Sequence, residues 1–352
     1  AETGMLTERG MALYRELMKV DSATVGNLGK LSELGAEEHQ MIAKRMYRRF
    51  PEVFSSEERI YVDAASSTVR RCQESMMAFT KRLKKERKSL KVNVHSGDSY
   101  MAYLLYKPAE YFDIVHLGRD VTDSLAKALL DTTAFLSSIF KDPEEGAKLV
   151  SPSWKFMREV LIWGSIAPDI RLDDVCVPAY YTEDMRYQLA KVNACRIYSE
   201  MCNSVESGGR RMSLTETLLS DFIAKADAAL TSGSQRAADL RFAHDVSVAP
   251  LSALIGIEGC DKRLPAKDVW KYWMTSEYVP MAMNLQMVFY RKDGDTKCKD
   301  VLVKFLLNEQ ERLVPALTPV EGPYYRWKDV RKFLLEKVKY AHEINVRWGV
   351  AQ

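Results

Sequence analysis

Two adjacent residues, His244 and Asp245, stand where chemistry is easiest to place. Residues 239–243 before them read as a short buried strand. Residues 246–254 after them repeat apolar side chains at helical spacing, with Pro250 early enough for a first turn to tolerate it. The pair is therefore expected at the carboxyl end of a strand and the start of a helix. An open α/β sheet binds its ligand there, and the free backbone N–H groups of a helix start favour an anion. An imidazole beside a carboxyl group can position an anion and move a proton. A second candidate is Arg71. Residues 59–64 read as a strand, and Ser66 or Ser67 is expected to cap a helix running to about residue 87. Arg71 then falls in a first turn, able to point back at an anion on the same sheet edge.

The residues around these candidates carry a resemblance. Leu240-Arg-Phe-Ala-His-Asp245, followed by Ala249-Pro-Leu-Ser-Ala-Leu-Ile-Gly256, closely resembles the C-terminal His-Asp signature of the histidine acid phosphatases. The stretch from Asp63 to Phe79 is similar to that family's segment in which an Arg is followed four residues later by Ser, then Phe. Alignment on Ser75 and Phe79 selects Arg71 rather than Arg70, and the Arg71-Cys72 pair leans toward the inositol polyphosphate phosphatases and phytases. Leu34-Gly-Ala-Glu-Glu-His39 with the later Arg48-Arg-Phe-Pro51 resembles scaffold of the same family.

The resemblance implies hydrolysis of phosphate monoesters, such as inositol polyphosphates or phytate, in two steps through a phosphohistidine. It implies that Arg71 clamps the phosphate, His244 donates a hydrogen bond to it, and Asp245 protonates the leaving oxygen. No metal or other cofactor is implied, and the implied location is periplasmic or secreted. The family's nucleophile lies in an Arg-His-Gly-x-Arg-x-Pro motif, which this sequence does not contain. Its five histidines, at 39, 95, 116, 244 and 342, all stand in other contexts. The motif is expected ahead of the helix at Thr7. The chain is then either an N-terminally incomplete piece of a phosphatase or a phosphate-binding relative without catalysis. The first reading is adopted because Arg71, His244 and Asp245 all remain. The missing piece should supply a central strand, so its loss would leave sheet edges open. Apart from the family, a binding protein for phosphorylated sugars or inositols and a helical interaction scaffold both fit the bare chemistry.

Composition narrows the classes. With 352 residues, 47% hydrophobic and 28% charged, the chain has the makeup of an ordinary globular protein. A net charge of +3 is too small to argue for nucleic acid or an anionic membrane surface. No apolar run approaches the roughly 20 residues that span a bilayer. The six cysteines are too sparse for a disulfide framework and lack the paired spacing of a zinc site, although one or two disulfides remain open.

The elements that must position these residues read as α/β: a central, mostly parallel sheet flanked by helices, with an inserted all-helical domain. Helices are expected at 7–20, with Thr7 as N-cap, and at 31–47. Beyond the strand at 90–94, strand signals nearly vanish. Helical patterns at 121–140, 153–162, 185–204 and 214–230 follow. This gives an α/β domain of residues 1–97 and 233–352 and an inserted helical domain of residues 98–232. Glycine-marked turns in the insert are expected to carry Arg119 and the pair Arg210 and Arg211, as contacts for extra phosphates or as ordinary loop charge. Strands at 284–292 and 301–307, joined by Asp293-Gly-Asp, form a hairpin, and a helix at 327–343 closes the chain, with His342 solvated. His39 is expected on a surface or between helices, and His116 has no evident partner.

Overall fold

The computed structural model describes residues 3–350 apart from Ser232, Asp293 and Thr296. Asp293, expected in the hairpin turn, therefore lies outside the described residues. Helix α1 (Glu8–Thr24) starts where a hydroxyl can hold it: the Thr7 side chain accepts from the Gly10 amide at 3.0 Å. Helix α2 (Glu33–Arg49) is capped in the same way by Ser32. Strand β1 (Tyr61–Ser66) leads into α3 (Arg70–Glu86), and β2 (Lys91–Ser96) follows. The expected cap at Ser66 or Ser67 is not what forms. Both serines are fully buried at the end of β1, and the helix begins at Arg70 with Val69 as N-cap and no side-chain cap.

The helical stretch then runs through α4 (Tyr111–Leu129), α5 (Thr132–Ile139), α6 (Ser153–Gly164), α7 (Glu183–Met201), the short α8 (Arg210–Ser213) and α9 (Glu216–Ala229). The single helix expected over 121–140 is two. Helix α4 starts ten residues earlier, and α5 restarts on an Asp131 cap whose carboxylate accepts from the Ala134 amide at 3.0 Å. Arg119 is thus on a helix and not in a glycine turn. Gly118 beside it is mid-helix, where a side chain would meet Ser199 Oγ at 2.7 Å, so the glycine permits α4 and α7 to approach. Helix α1 packs on α5 and α6 in one apolar cluster that includes Leu13, Val20, Phe135 and Met157, so by packing it joins the helical block.

Strand β3 (Arg236–Phe242) then pairs with β1, giving a three-stranded parallel sheet in the order β2-β1-β3. Helix α10 (Asp245–Ile255) follows it. The hairpin forms as expected from β4 (Leu285–Tyr290) and β5 (Leu302–Leu307), with β6 (Gln310–Arg312) and β7 (Tyr325–Arg326) also on β5. It is a separate antiparallel sheet. Helix α11 (Trp327–Trp348) is longer than expected. Val62 and Ala64 of β1, Phe79 and Leu83 of α3, Ile42 of α2 and Leu306 of β5 share one core, so a helical layer crosses both sheets. Each large side chain buried there contributes about 1.5–3 kcal/mol, which fixes α3 on the sheet and Arg71 at its edge.

Among the described strands, β3 pairs only with β1 and β4 only with β5. A cavity of about 720 Å³ lies between them, walled along its whole length by residues of both strands. Helices α2 and α3 contribute one set of wall residues and α9 another. Asn284 and Leu285, where β4 begins, share a smaller cavity with Arg241 and Ala243, where β3 ends. The two strands therefore run in opposite directions past the cavity. No helix among the described residues is long and apolar enough to cross a membrane.

Candidate functional site

The site forms where two helices begin. His244 is the N-cap of α10 and Asp245 its first residue; Arg71 is the second residue of α3. Neither N-cap residue supplies a side-chain hydrogen bond, and the first amides, those of Arg70 and Arg71 in one helix and of Asp245 in the other, have no backbone partner and can meet an anion. Arg71 Nη2 lies 3.2 Å from His244 Nδ1, across 173 residues of sequence. Arg70, the rejected alternative, points elsewhere and pairs with Glu74 at 2.7 Å. Among the described residues Arg71 has no carboxylate at ion-pair distance.

Four other arginines line the cavity: Arg59 donates to the Ser234 carbonyl and pairs with no carboxylate among the described residues, and Arg291 pairs with Glu58 at 3.5 Å. Arg236 pairs with Asp239 and, at 3.1 Å, with Asp63, and Arg241 pairs with Asp221 at 2.8 Å. Arg71, also on the wall, is exposed. Asp245 is exposed, with one carboxylate oxygen accepting from the Val246 amide at 2.8 Å. His244 is half-buried and pulled down to about 4, first by burial and then by the Arg71 guanidinium, with Lys107 adding and Asp245 opposing. It is therefore neutral above that pH.

Three residues here escaped the sequence reading. Cys72 is buried against His244, with Sγ 3.5 Å from Nε2, and donates its S–H to the Ala243 carbonyl at 3.0 Å. Lys107, in the segment after the short helix Asp98–Leu104, is held below the usual lysine range by partial burial, then by Arg211, with Arg71 also contributing. His39 is a wall of the cavity rather than a surface residue, edge-on to Phe242 at 6.3 Å, and burial lowers its pKa. Cys72 had one signal, its place beside Arg71. Lys107 had none, because Arg211 meets it only through the fold.

The arginines proposed for extra phosphates are placed differently from one another. Arg211 is almost fully buried. Its guanidinium lies 4.6 Å from the Tyr111 ring centroid, one nitrogen donates to the Val246 carbonyl, and its Nε has no partner. It thus sits behind the first turn of α10. Lys107 lies over the same ring at 5.5 Å. Arg210 starts α8 after the glycine turn, donates to the Ser207 carbonyl and stacks over Trp348 at 5.4 Å. Arg119 is exposed on α4, and neither it nor Arg210 lines the cavity. His116 is exposed, and so is His342, as expected, which also pairs with Glu216 at 3.0 Å. All six cysteines are free, and the described residues hold no cluster of ligands for a metal.

Known proteins resemble this chain in part of its sequence and in its fold. Residues 178–308 match the family model described as the histidine phosphatase superfamily (branch 2). No curated protein matches the chain by sequence. Among solved structures, the multiple inositol polyphosphate phosphatase of Bifidobacterium longum in complex with inositol hexasulfate superposes with a TM-score of 0.77 at 20% identity. That match covers 94% of this chain and 85% of the other. The same enzyme in complex with phosphate gives 0.74 at 19% identity over the same shares. The phytase from D. castellii gives 0.61 at 16% identity, over 94% of this chain and 75% of that one. At these identities the structural likeness speaks for the fold, and the family match adds the sequence signal over 178–308. Residues 178–308 thus resemble the histidine phosphatase superfamily, branch 2, and the chain shares the fold of these solved structures.

Proposed function

We propose that this chain is the phosphate-clamping and acid-donating body of a phosphomonoester hydrolase of the histidine acid phosphatase type. Its substrates would be inositol polyphosphates, phytate or similar small phosphate esters. The observation that carries this reading is the contact between Arg71 and His244, an unneutralised cation and a ring nitrogen at two uncapped helix starts. A phosphoryl group there would meet the Arg71 fork, backbone N–H groups and, on the α10 side, Asp245 as the acid for the leaving oxygen. The family match over residues 178–308 and the likeness of the fold to phosphate- and hexasulfate-bound structures support the same substrate chemistry. We keep the division into an α/β domain and a helical cap over residues 98–232, and a periplasmic or secreted location, as parts of this proposal.

The phosphohistidine would come from a segment outside the described residues. Among those residues, the cavity wall holds no histidine besides His39 and His244. The cavity itself supports this view. Two antiparallel strands with free edges face each other across it, and one extended chain could pair with both, parallel to one and antiparallel to the other. Its end would reach the Arg71 and His244 corner. A relative that binds phosphate without turnover differs only in lacking that histidine.

Calorimetric titration with orthophosphate and with inositol hexakisphosphate tests the reading. Binding of both is expected, and a helical scaffold would bind neither. Expressed by itself, the 352-residue chain should release no phosphate from a nitrophenyl ester. Steady release would show that the nucleophile has been misplaced.

A further inference from the structure

The first turn of α10 holds a carbonyl that its own helix cannot bond. Pro250, expected within a first turn, lies inside α10. It has no N–H for the Val246 carbonyl four residues back, and its ring pushes that carbonyl outward. Arg211 replaces the missing donor: one guanidinium nitrogen donates to the Val246 oxygen. Gly208 and Gly209, both left-handed, lead into α8 and so place Arg211 against α10, with the Tyr111 ring beside its guanidinium. Arg211 is 1% exposed, its Nε has no partner, and among the described residues no carboxylate lies at ion-pair distance. Of the carboxylates whose charge reaches it, Glu200 is paired with Arg196 at 2.8 Å, and Asp245 stands exposed at the start of α10. Burial lowers its pKa, yet a guanidinium stays charged at ordinary pH. A buried charge without a partner destabilises the fold. A dianion at the start of α10 would supply the negative charge that is missing.

We propose that Arg211 is a positioning residue: a buried charge, locked to α10 by the carbonyl that Pro250 leaves free, that strengthens the hold of the helix start on a dianion. This rests on the reading of Arg71, His244 and the start of α10 as an anion site. Arg211 does not line the cavity, so it acts on that anion without touching it. Its charge adds to the partial positive charge of the helix start. Buried as it is, it is screened by salt far less than the exposed Arg71. Coulomb energy scales with the charge of the ligand, so a dianion gains about twice what a monoanion of the same shape gains. An arginine that only ordered the first turn would favour both ions alike.

Sulfate and perrhenate are suitable probes, because both are tetrahedral and they carry two and one negative charges. Each is titrated into the whole chain while the His244 ring signals are followed by NMR. Arg211→Gln keeps a donor for the Val246 carbonyl and removes the charge. Arg211→Met combined with Pro250→Ala also removes the charge, and the backbone N–H gained at position 250 then serves Val246 within the helix. The second variant thus leaves no orphaned carbonyl behind. Both variants should bind sulfate about tenfold more weakly than the native chain, and perrhenate about threefold more weakly, the square root of that factor. Equal losses on the two ions would make Arg211 a residue that only orders the first turn. Unchanged sulfate binding would leave it no part in the site. Either result overturns this inference while the anion site stands. Failure of the native chain to bind sulfate or orthophosphate would remove the site itself, and this inference with it.

Discussion

Arg71 lies 3.2 Å from the His244 ring nitrogen and holds that ring neutral. The 3.2 Å contact is satisfied only by a neutral ring, and the guanidinium is the second-largest cause, after burial, of the low His244 pKa. Arg71→Gln should therefore have two separable effects. Orthophosphate binding should weaken by about 1.5–3 kcal/mol, the range for a hydrogen bond to a charged group. In the same variant the His244 midpoint should rise from about 4 toward the ordinary histidine value, as followed by NMR titration. An unmoved midpoint would mean that burial alone sets it. Arg71→Lys should restore the midpoint shift more fully than the binding, because an ammonium repels a proton but lacks the planar fork.

Much of this corner was legible from sequence because its residues are local to their elements. The strand, the His-Asp pair and the helix after it lie within one stretch, and Thr7 caps its helix as its type and place predict. What escaped depended on tertiary packing. Gly118 reads as a turn, yet it is a close-approach point between α4 and α7, and Arg119 was misplaced with it. Ser66 and Ser67 read as caps, yet β1 runs through Ser66 and both hydroxyls are buried. The meeting of Lys107 with Arg211 over Tyr111 joins distant segments with no pattern in either.

Histidines held neutral by burial make stability fall on acidification. The unfolded chain takes up protons at about pH 6.5, while His244 resists until about pH 4. The contribution is therefore full above the unfolded value and is lost as pH falls through that window. His39 is depressed by burial in the same direction. After allowance for the partial exposure of His244, its share of the loss should be about 1–2 kcal/mol. Urea unfolding between these pH values should show the slope in the native chain and a flatter one in the double variant His39→Gln, His244→Gln. A native curve flat across the window would contradict the depressed values.

Gly10 is where α1 meets the end of α5. A Cβ at this position would lie 2.1 Å from the Ile139 carbonyl oxygen, a backbone atom that also accepts from the Thr7 amide at 3.0 Å. Relief requires one of the two elements to shift. Gly10→Ala should cost about 1–3 kcal/mol by the usual penalty for overpacking. Gly4→Ala, with nothing within 4 Å of the added carbon, is the matched control and should be near neutral. Denaturant midpoints compare the two directly. Equal stability would mean that α1 is not fixed against the helical block.

The role given to Asp245 is testable in a form of the protein that carries the nucleophilic segment. Asp245 is exposed at the start of α10, one residue from the His244 ring, so a leaving oxygen can reach it from solvent. Asp245→Asn keeps the size of the side chain and can still accept from the Val246 amide, but it has no proton to transfer. An inositol oxygen leaves poorly as an alkoxide and needs that proton in the transition state; a nitrophenolate does not. The variant should therefore lose roughly 10²–10⁴ in rate on an alkyl phosphate and far less on the nitrophenyl ester. Phosphohistidine should still accumulate from the activated ester, since Arg71 and the nucleophile are unchanged. His244→Ala should depress both substrates alike, because it removes a contact to the phosphoryl group that they share. Equal losses on the two esters in Asp245→Asn would take the leaving-group role from Asp245 and leave it as a residue that only orders the start of α10.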